Sequence, residues 1–378
     1  MRKIMIKRSF LFISMIMALS ITGCIKGTYG LSKQAHISPT LAISGVKGDI
    51  SLSDIVKAND TVVYDQDKFV TIVFRKDSVV DLKISDFSKG TLVQKIAIID
   101  PTSYDLNIHN ILSHISGDFQ FLNPSIKFNY SNSFPDPIKI NLNVSGQGKD
   151  KTIPLNLAPF TLVSPNIPAQ QEITASYIID KTNSNLQNLI SLPPEMLNFS
   201  GTAILTSSAK SNQTGDYILG PNHLLGSLEV DLPMELTINN LQFTDTADNF
   251  MKDNSMKTED FQFLRVDIKA INGFPLGVSL KMSLYDSKTK SIKSTVNATD
   301  ILEPAPVDNN GKSLGVTETS TTIEFTREFF SFSKNADKLI FSFTLNTAGN
   351  GSQDVKIYSD YRINFSAALV VKPDINLN

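Results

Sequence analysis

The chain has 378 residues, 41% of them hydrophobic and 19% charged, and a net charge of −2. That is enough apolar material for folded cores over a length of two or three domains, and the faintly acidic balance excludes nucleic acid as the main electrostatic partner. A single Cys and no Trp exclude an internal disulfide framework and thiolate metal clusters, together with the indole platforms on which sugars commonly stack.

Met1 to Arg8 carries Arg2, Lys3, Lys7 and Arg8 with no acid, and Ser9 to Leu19 is mostly apolar. The run is too short for a permanent span, which needs about 20 apolar residues, and reads as a cleaved signal. Ile21-Thr22-Gly23-Cys24 follows and resembles the lipobox of bacterial lipoproteins. The resemblance implies a signal peptide over 1–23 and acylation of Cys24, with palmitate-type chains. A thiolate is a competent nucleophile for a lipid donor, and more than one acyl chain makes attachment stable. Ile25 and Lys26, in place of an aspartate, imply delivery to the outer membrane, and the lack of an acidic run favours its periplasmic face. Losing the signal removes four of the 35 basic residues and none of the 37 acidic ones, so the net charge moves from −2 to −6.

Residues 24–38 read as a tether and 39–101 as a small β-rich region. Within it Ser53 is placed to cap a short helix, and Val62-Val63-Tyr64, an Asp65–Lys68 turn and Phe69–Phe74 form a hairpin pattern. Some 60 residues is marginal for a separate core, so this region is expected to dock on the first of two repeats.

The strongest signal further along is that repeat. Asp118-Phe119-Gln120-Phe121-Leu122 recurs as Asp260-Phe261-Gln262-Phe263-Leu264, Asn132-Ser133-Phe134-Pro135 as Asn272-Gly273-Phe274-Pro275, and Leu197, Phe199, Ser200 and Thr202 as Leu339, Phe341, Ser342 and Thr344. Period-two alternation, as in Ile138, Ile140, Leu142 and Val144, dominates both copies and predicts antiparallel sheets with one wet face. The expected architecture is all-β: two tandem antiparallel β-sandwich repeats over 102–245 and 246–378. Pro cannot donate within a ladder, so Asn132, Phe134 and Pro135, and likewise Asn272, Phe274 and Pro275, are read as a corner where the chain changes sheets. Within the two repeats helix is predicted only at Asn185–Ile190 and Arg327–Phe330.

No catalytic residue is assigned, and no cofactor. His109 and His114 are wrongly spaced for one strand face and lack a third ligand, so no metal site is expected. Asp308-x-Asn310-Gly311 is a calcium-loop fragment without its terminal Glu, and with Asp65 and Asp67 it reads as turn chemistry. Tyr358 and Tyr361 could serve a glycan, but packing roles explain them better.

Lipobox, short β region and two Asn-x-Phe-Pro modules together resemble Bacteroidota envelope lipoproteins, a likeness strongest over Leu339 to Val371. The Asn-Gly-Phe-Pro-Leu stretch is similar to late-embryogenesis-abundant-type sandwiches. Neither likeness implies an activity. The expectation is a non-enzymatic protein held at the membrane by its lipid and acting as scaffold or binding module for an envelope protein or lipid partner. A fimbrillin-like structural or adhesin subunit is the alternative, and a glycan-binding lipoprotein or hydrolase comes third.

Overall fold

Side-chain alternation is nearly strict. In Ser125–Asn132 and Ile138–Gln147 every second residue is buried, and those between face solvent or are half-buried, the period of a pleated strand with one covered face. A computed structural model describes residues 35–37, 40–83, 93–105, 115–148, 151–166, 171–191, 196–206, 222–249, 252, 261–373 and 375–377. It is an all-β fold in which every described pairing is antiparallel.

The first part of the chain forms β1 (Ala35–Ile37), β2 (Leu41–Ser51), α1 (Leu52–Ile55), β3 (Val62–Tyr64), β4 (Val70–Lys83), β5 (Val93–Asp105), β6 (Ile115–Phe121), β7 (Ser125–Asn132), β8 (Ile138–Gln147), β9 (Thr152–Pro154), β10 (Phe160–Thr161), β11 (Ile173–Ile179), α2 (Leu186–Ser191), β12 (Met196–Thr206) and β13 (His223–Pro233). The second part adds β14 (Glu235–Asp248), β15 (Phe261–Asn272), β16 (Leu276–Asp286), β17 (Ser291–Leu302), β18 (Thr317–Thr326), α3 (Arg327–Ser333), β19 (Lys338–Thr347), α4 (Ala348–Gly351), β20 (Val355–Lys356), β21 (Arg362–Pro373) and β22 (Ile375–Leu377). The capping residue of α1 is Ser51 rather than Ser53: the Asp54 carboxylate reaches back to the Ser51 N–H at 2.9 Å, half of a capping box.

Two sheet pairs result. In the first unit, sheet β10-β8-β12-β5 faces sheet β11-β7-β13-β4-β3, and Ile126, Phe128, Ile138, Ile140, Leu197 and Leu224 from both sheets meet in one buried cluster. Burying each such side chain contributes about 1.5–3 kcal/mol. In the second, sheet β17-β16-β19-β14-β20 lies against sheet β18-β15-β21-β2, with β6 on the outer side of β14. The orders correspond strand for strand: β8, β12 and β5 match β16, β19 and β14, while β7, β13 and β4 match β15, β21 and β2.

The sheets cross the segment limits read from sequence. β4 and β5, expected in the separate region 39–101, build the walls of the first unit. β2, from the same region, instead pairs with β21 from Leu41 opposite Val371 to Ser51 opposite Arg362. β14 spans the 245/246 limit and pairs with β19. The first unit is therefore threaded between β2 and β14 of the second. Alternation specifies which face of a strand is buried but not its neighbour, which is why these memberships were not readable.

The units are joined by backbone. Val70 N donates to Ile357 O at 3.1 Å, Ile357 N to Met234 O at 2.9 Å, and Met234 N to Val70 O at 2.9 Å. Ser359 N donates to Lys68 O at 2.8 Å, and Ser53 N to Ser359 O at 2.9 Å. Phe119 and Met234 pack against the cores of both units.

Candidate functional site

The residues singled out in the sequence occupy equivalent corners. In the first unit Asn132 ends β7 and is fully buried. Its Oδ1 accepts the Phe134 N–H at 3.0 Å, and its Nδ2 donates to Val163 O at 2.9 Å. In the second unit Asn272 ends β15, also fully buried. Its Oδ1 accepts the Phe274 N–H at 2.9 Å, and its Nδ2 donates to Leu276 O at 2.9 Å and Glu303 O at 2.8 Å. Each asparagine closes an Asx turn that starts the crossing from one sheet to the other, then ties the corner to a segment 31 residues on. Pro135 and Pro275 stand where no ladder donor is needed. Phe134 is buried in the first core, whereas Phe274 packs edge-on against Tyr361 with ring centroids 5.7 Å apart.

The other sequence candidates fall into structural roles. The Asp65 carboxylate accepts the Phe69 N–H at 2.8 Å, and Asp308 accepts the N–H groups of Asn310 and Lys312 at 2.8 and 2.9 Å. Both are turn carboxylates, each with its Oδ1 engaged by backbone. Among the described residues no group of three or more His, Cys, Asp or Glu side chains is arranged to hold a metal. Tyr358 lies between Phe69 and Tyr361, with the Lys312 ammonium 4.9 Å from its ring centre. The Tyr361 hydroxyl accepts the Ser313 N–H at 2.9 Å, and burial pushes its pKa up to about 12. These rings pack the junction. Cys24, His109 and His114 lie outside the described residues.

Two constellations were not anticipated. His223 Nδ1 lies 3.4 Å from Ser133 Oγ, and its Nε2 lies 3.5 Å from Glu172 Oε1. The residue types match a hydrolytic triad, but the Ser133 hydroxyl accepts the His223 N–H at 2.8 Å and donates to the His223 carbonyl at 3.2 Å. It bridges the start of β13 to the corner after β7 and is committed to backbone rather than poised as a nucleophile. On the outer face of β4, β7 and β13, Lys127 contacts Asp231 at 2.5 Å and Glu229 at 3.0 Å, while Arg75 Nε contacts Glu229 at 2.6 Å. The hydrogen bond to Asp231 raises the Lys127 pKa. Burial pushes Glu229 up, but hydrogen bonds from Arg75 and Lys127 outweigh it and hold its carboxyl below the usual range. Two cations and two anions neutralise one another on this face. Their positions 75, 127, 229 and 231 are far apart in sequence, so only strand pairing reveals them. A cavity lined by Phe74, Leu197, Phe199, Leu228 and Val230 has a volume of about 10 Å³, about the room one water needs.

No protein-family model matches the chain, and no curated protein does. A crystal structure of a Parabacteroides distasonis ATCC 8503 protein superposes with a TM-score of 0.51 at 15% identity, covering 88% of this chain and 99% of that one. The two chains share a fold. The relative's name goes no further than a provisional description as secreted. The infectious bursal disease virus VP2 subviral particle, at 10% identity over 96% of this chain and 77% of that one, reaches a TM-score of 0.21. Tripeptidyl peptidase 2, at 11% identity over 81% of this chain and 27% of its own, reaches 0.20. Scores at that level carry no argument. Among the described residues no helix is long and apolar enough to cross a membrane.

Proposed function

We propose that this is a lipid-anchored cell-envelope protein of Bacteroidota type, acting without catalysis as a scaffold or binding module for an envelope protein or lipid partner. The observation that carries the reading is the backbone joint between the units, in which Val70, Met234 and Ile357 exchange main-chain hydrogen bonds. Two further supports are the Ile21-Thr22-Gly23-Cys24 sequence and the fold shared with a protein described as secreted. The proposed location is the periplasmic face of the outer membrane. Growth with an alkyne fatty acid tests the anchor: the protein labels and fractionates with outer membrane, and Cys24→Ser abolishes both. Crosslinking in the native envelope followed by pull-down then names the partner class. Recovery of an unlabelled, freely soluble protein would sink the proposal.

A second reading, a fimbrillin-like structural subunit, draws on β2, a strand of 11 residues at the edge of its sheet with no neighbour on its far side among the described residues. Such an edge is a template for pairing with another chain. It predicts polymers in shed material, and electron microscopy showing monomers alone removes it.

A further inference from the structure

The two units differ at one edge. In the first, β4 is covered by β3, with Val62–Tyr64 paired to Val70–Ile72. In the second, the corresponding strand β2 pairs with β21 alone among the described residues, and its other side meets no strand. The backbone there can be followed residue by residue, because successive residues of an antiparallel strand turn their N–H and C=O groups to opposite sides. Leu52 N donates to Tyr361 O at 3.0 Å, continuing the register of β2 on β21, so Ile50, Gly48 and Val46 also face β21. Gly273 N donates to Arg362 O at 2.8 Å, which commits Arg362 and Asn364 to β15 and gives the same phase. Lys47, Asp49 and Ser51 therefore point outward. The Ser51 N–H is taken by the Asp54 carboxylate at 2.9 Å, and a bulge between Ser44 and Val46 bends the strand just before Lys47. The free edge is reduced to Lys47 and Asp49, both exposed.

That edge is complementary to itself. A second copy brought up antiparallel can set its outward residues against these in three two-fold registers. A dyad at Lys47 opposes two ammonium groups. A dyad at Asp49 opposes two carboxylates and spends Lys47 on Ser51, whose N–H is already bonded. A dyad at Gly48 places Lys47 of each copy opposite Asp49 of the other, and opposite charges directly across an antiparallel pair are stabilising where like charges are not. Each Lys47–Asp49 pair then exchanges both of its main-chain hydrogen bonds. On the inward face the same register sets Val46, half-buried, against Ile50, which is 38% exposed. Arg362, 3.5 Å from Asp49, continues the alternation of charge along the sheet.

We propose that β2 is a self-pairing edge: two copies of this chain associate antiparallel about Gly48, making one sheet of eight strands, four from each copy. A two-fold contact of this kind uses the edge up and closes at two. The bulge and the lysine are devices that keep an edge from pairing at random, and here the lysine also selects the register. The chain leaves β2 at Ser51 for α1 and the first unit, so antiparallel pairing sends the two first units to opposite ends of the contact, clear of one another. The contact is short and belongs with the small, weak interfaces. It involves neither Cys24 nor the joint between the units.

The test uses the complete mature chain carrying Cys24→Ser, followed by analytical ultracentrifugation from about 10 μM to 1 mM, the range of a weak interface. A monomer–dimer equilibrium that weakens as salt rises is expected. Lys47→Glu and Asp49→Lys each set like charges together and weaken it about tenfold or more, a loss of about 1.4 kcal/mol. The double variant Lys47→Asp/Asp49→Lys restores it, and an equimolar mixture of the two single variants forms a heterodimer, because an all-acidic edge then faces an all-basic one. Lys139→Glu, the same change of charge at an exposed position of the first unit, leaves association unchanged. Circular dichroism verifies that each variant is folded, and the double variant and the mixture keep the test valid if one single variant is not. A chain that stays monomeric throughout overturns the proposal, as does a dimer indifferent to both charge reversals or one that the folded double variant does not restore. Polymers that grow with concentration assign the edge to an open-ended assembly and also overturn it.

Discussion

Replacing Asn272 by alanine removes one acceptor and two donors at a fully buried position. The Phe274 N–H and the carbonyls of Leu276 and Glu303 lose their partner, and each unsatisfied buried group costs about 1–3 kcal/mol. The carbonyls retain a second lone pair and some access to water, so the lower part of the range applies and the total is about 3 kcal/mol. Asn132→Ala breaks two such bonds and should cost about 2 kcal/mol. Asn272→Asp separates hydrogen bonding from volume: it keeps the acceptor for Phe274 but turns a carboxylate towards two carbonyls. Its folded pKa must then rise above the unfolded value near 3.9. The native state binds the extra proton, so the stability of Asn272→Asp increases as pH falls through that folded pKa, whereas Asn272→Ala shows no such gain. Urea unfolding followed by far-ultraviolet circular dichroism, at pH 7 and pH 5, measures all of this. An Asn272→Ala chain within about 0.5 kcal/mol of wild type, the usual band for an unremarkable surface change, or an Asp variant that gains nothing on acidification, would refute the corner reasoning.

Tyr361 provides a second measurement. With its pKa pushed up to about 12 by burial, its phenol stays neutral while ordinary tyrosines ionise near 10, and the stability it contributes is intact below about pH 10 and lost as pH rises towards 12. Spectrophotometric titration of wild type against Tyr361→Phe should remove the latest-titrating phenol. Asp286 moves the other way: the Thr289 hydroxyl and backbone N–H groups hold its carboxyl down to about 2, so its contribution is present above about pH 4 and fades as pH falls to 2, which carboxyl NMR titration can follow. Phe128→Ala in the first core, where the ring is 1% exposed, should cost about 3–5 kcal/mol, read by thermal and urea unfolding.

Much of the local structure was legible because it is encoded locally. Alternation placed β8, and the helix expected at Asn185–Ile190 is observed over Leu186–Ser191. The Asn-x-Phe-Pro repeat marked both corners, since an asparagine two residues before a backbone N–H closes an Asx turn with no outside help. The lipobox likeness likewise depends only on consecutive residues.

Partnership was another matter, and one repeated pentapeptide shows why. Asp118-Phe119-Gln120-Phe121-Leu122 contributes to β6, which pairs with β14 in the second unit, whereas in the second copy Phe261-Gln262-Phe263-Leu264 opens β15, which pairs with β18 and β21. Asn123-Pro124 breaks the first copy between β6 and β7, and after that break the same residues find a different neighbour. A strand's pattern states which side must be covered, and any strand of matching face can cover it. Residues and their order therefore fixed the β character, the corners and the repeat. Long-range pairing chose the neighbours: it inserted one unit into the other and assembled the Lys127 ion cluster from three strands.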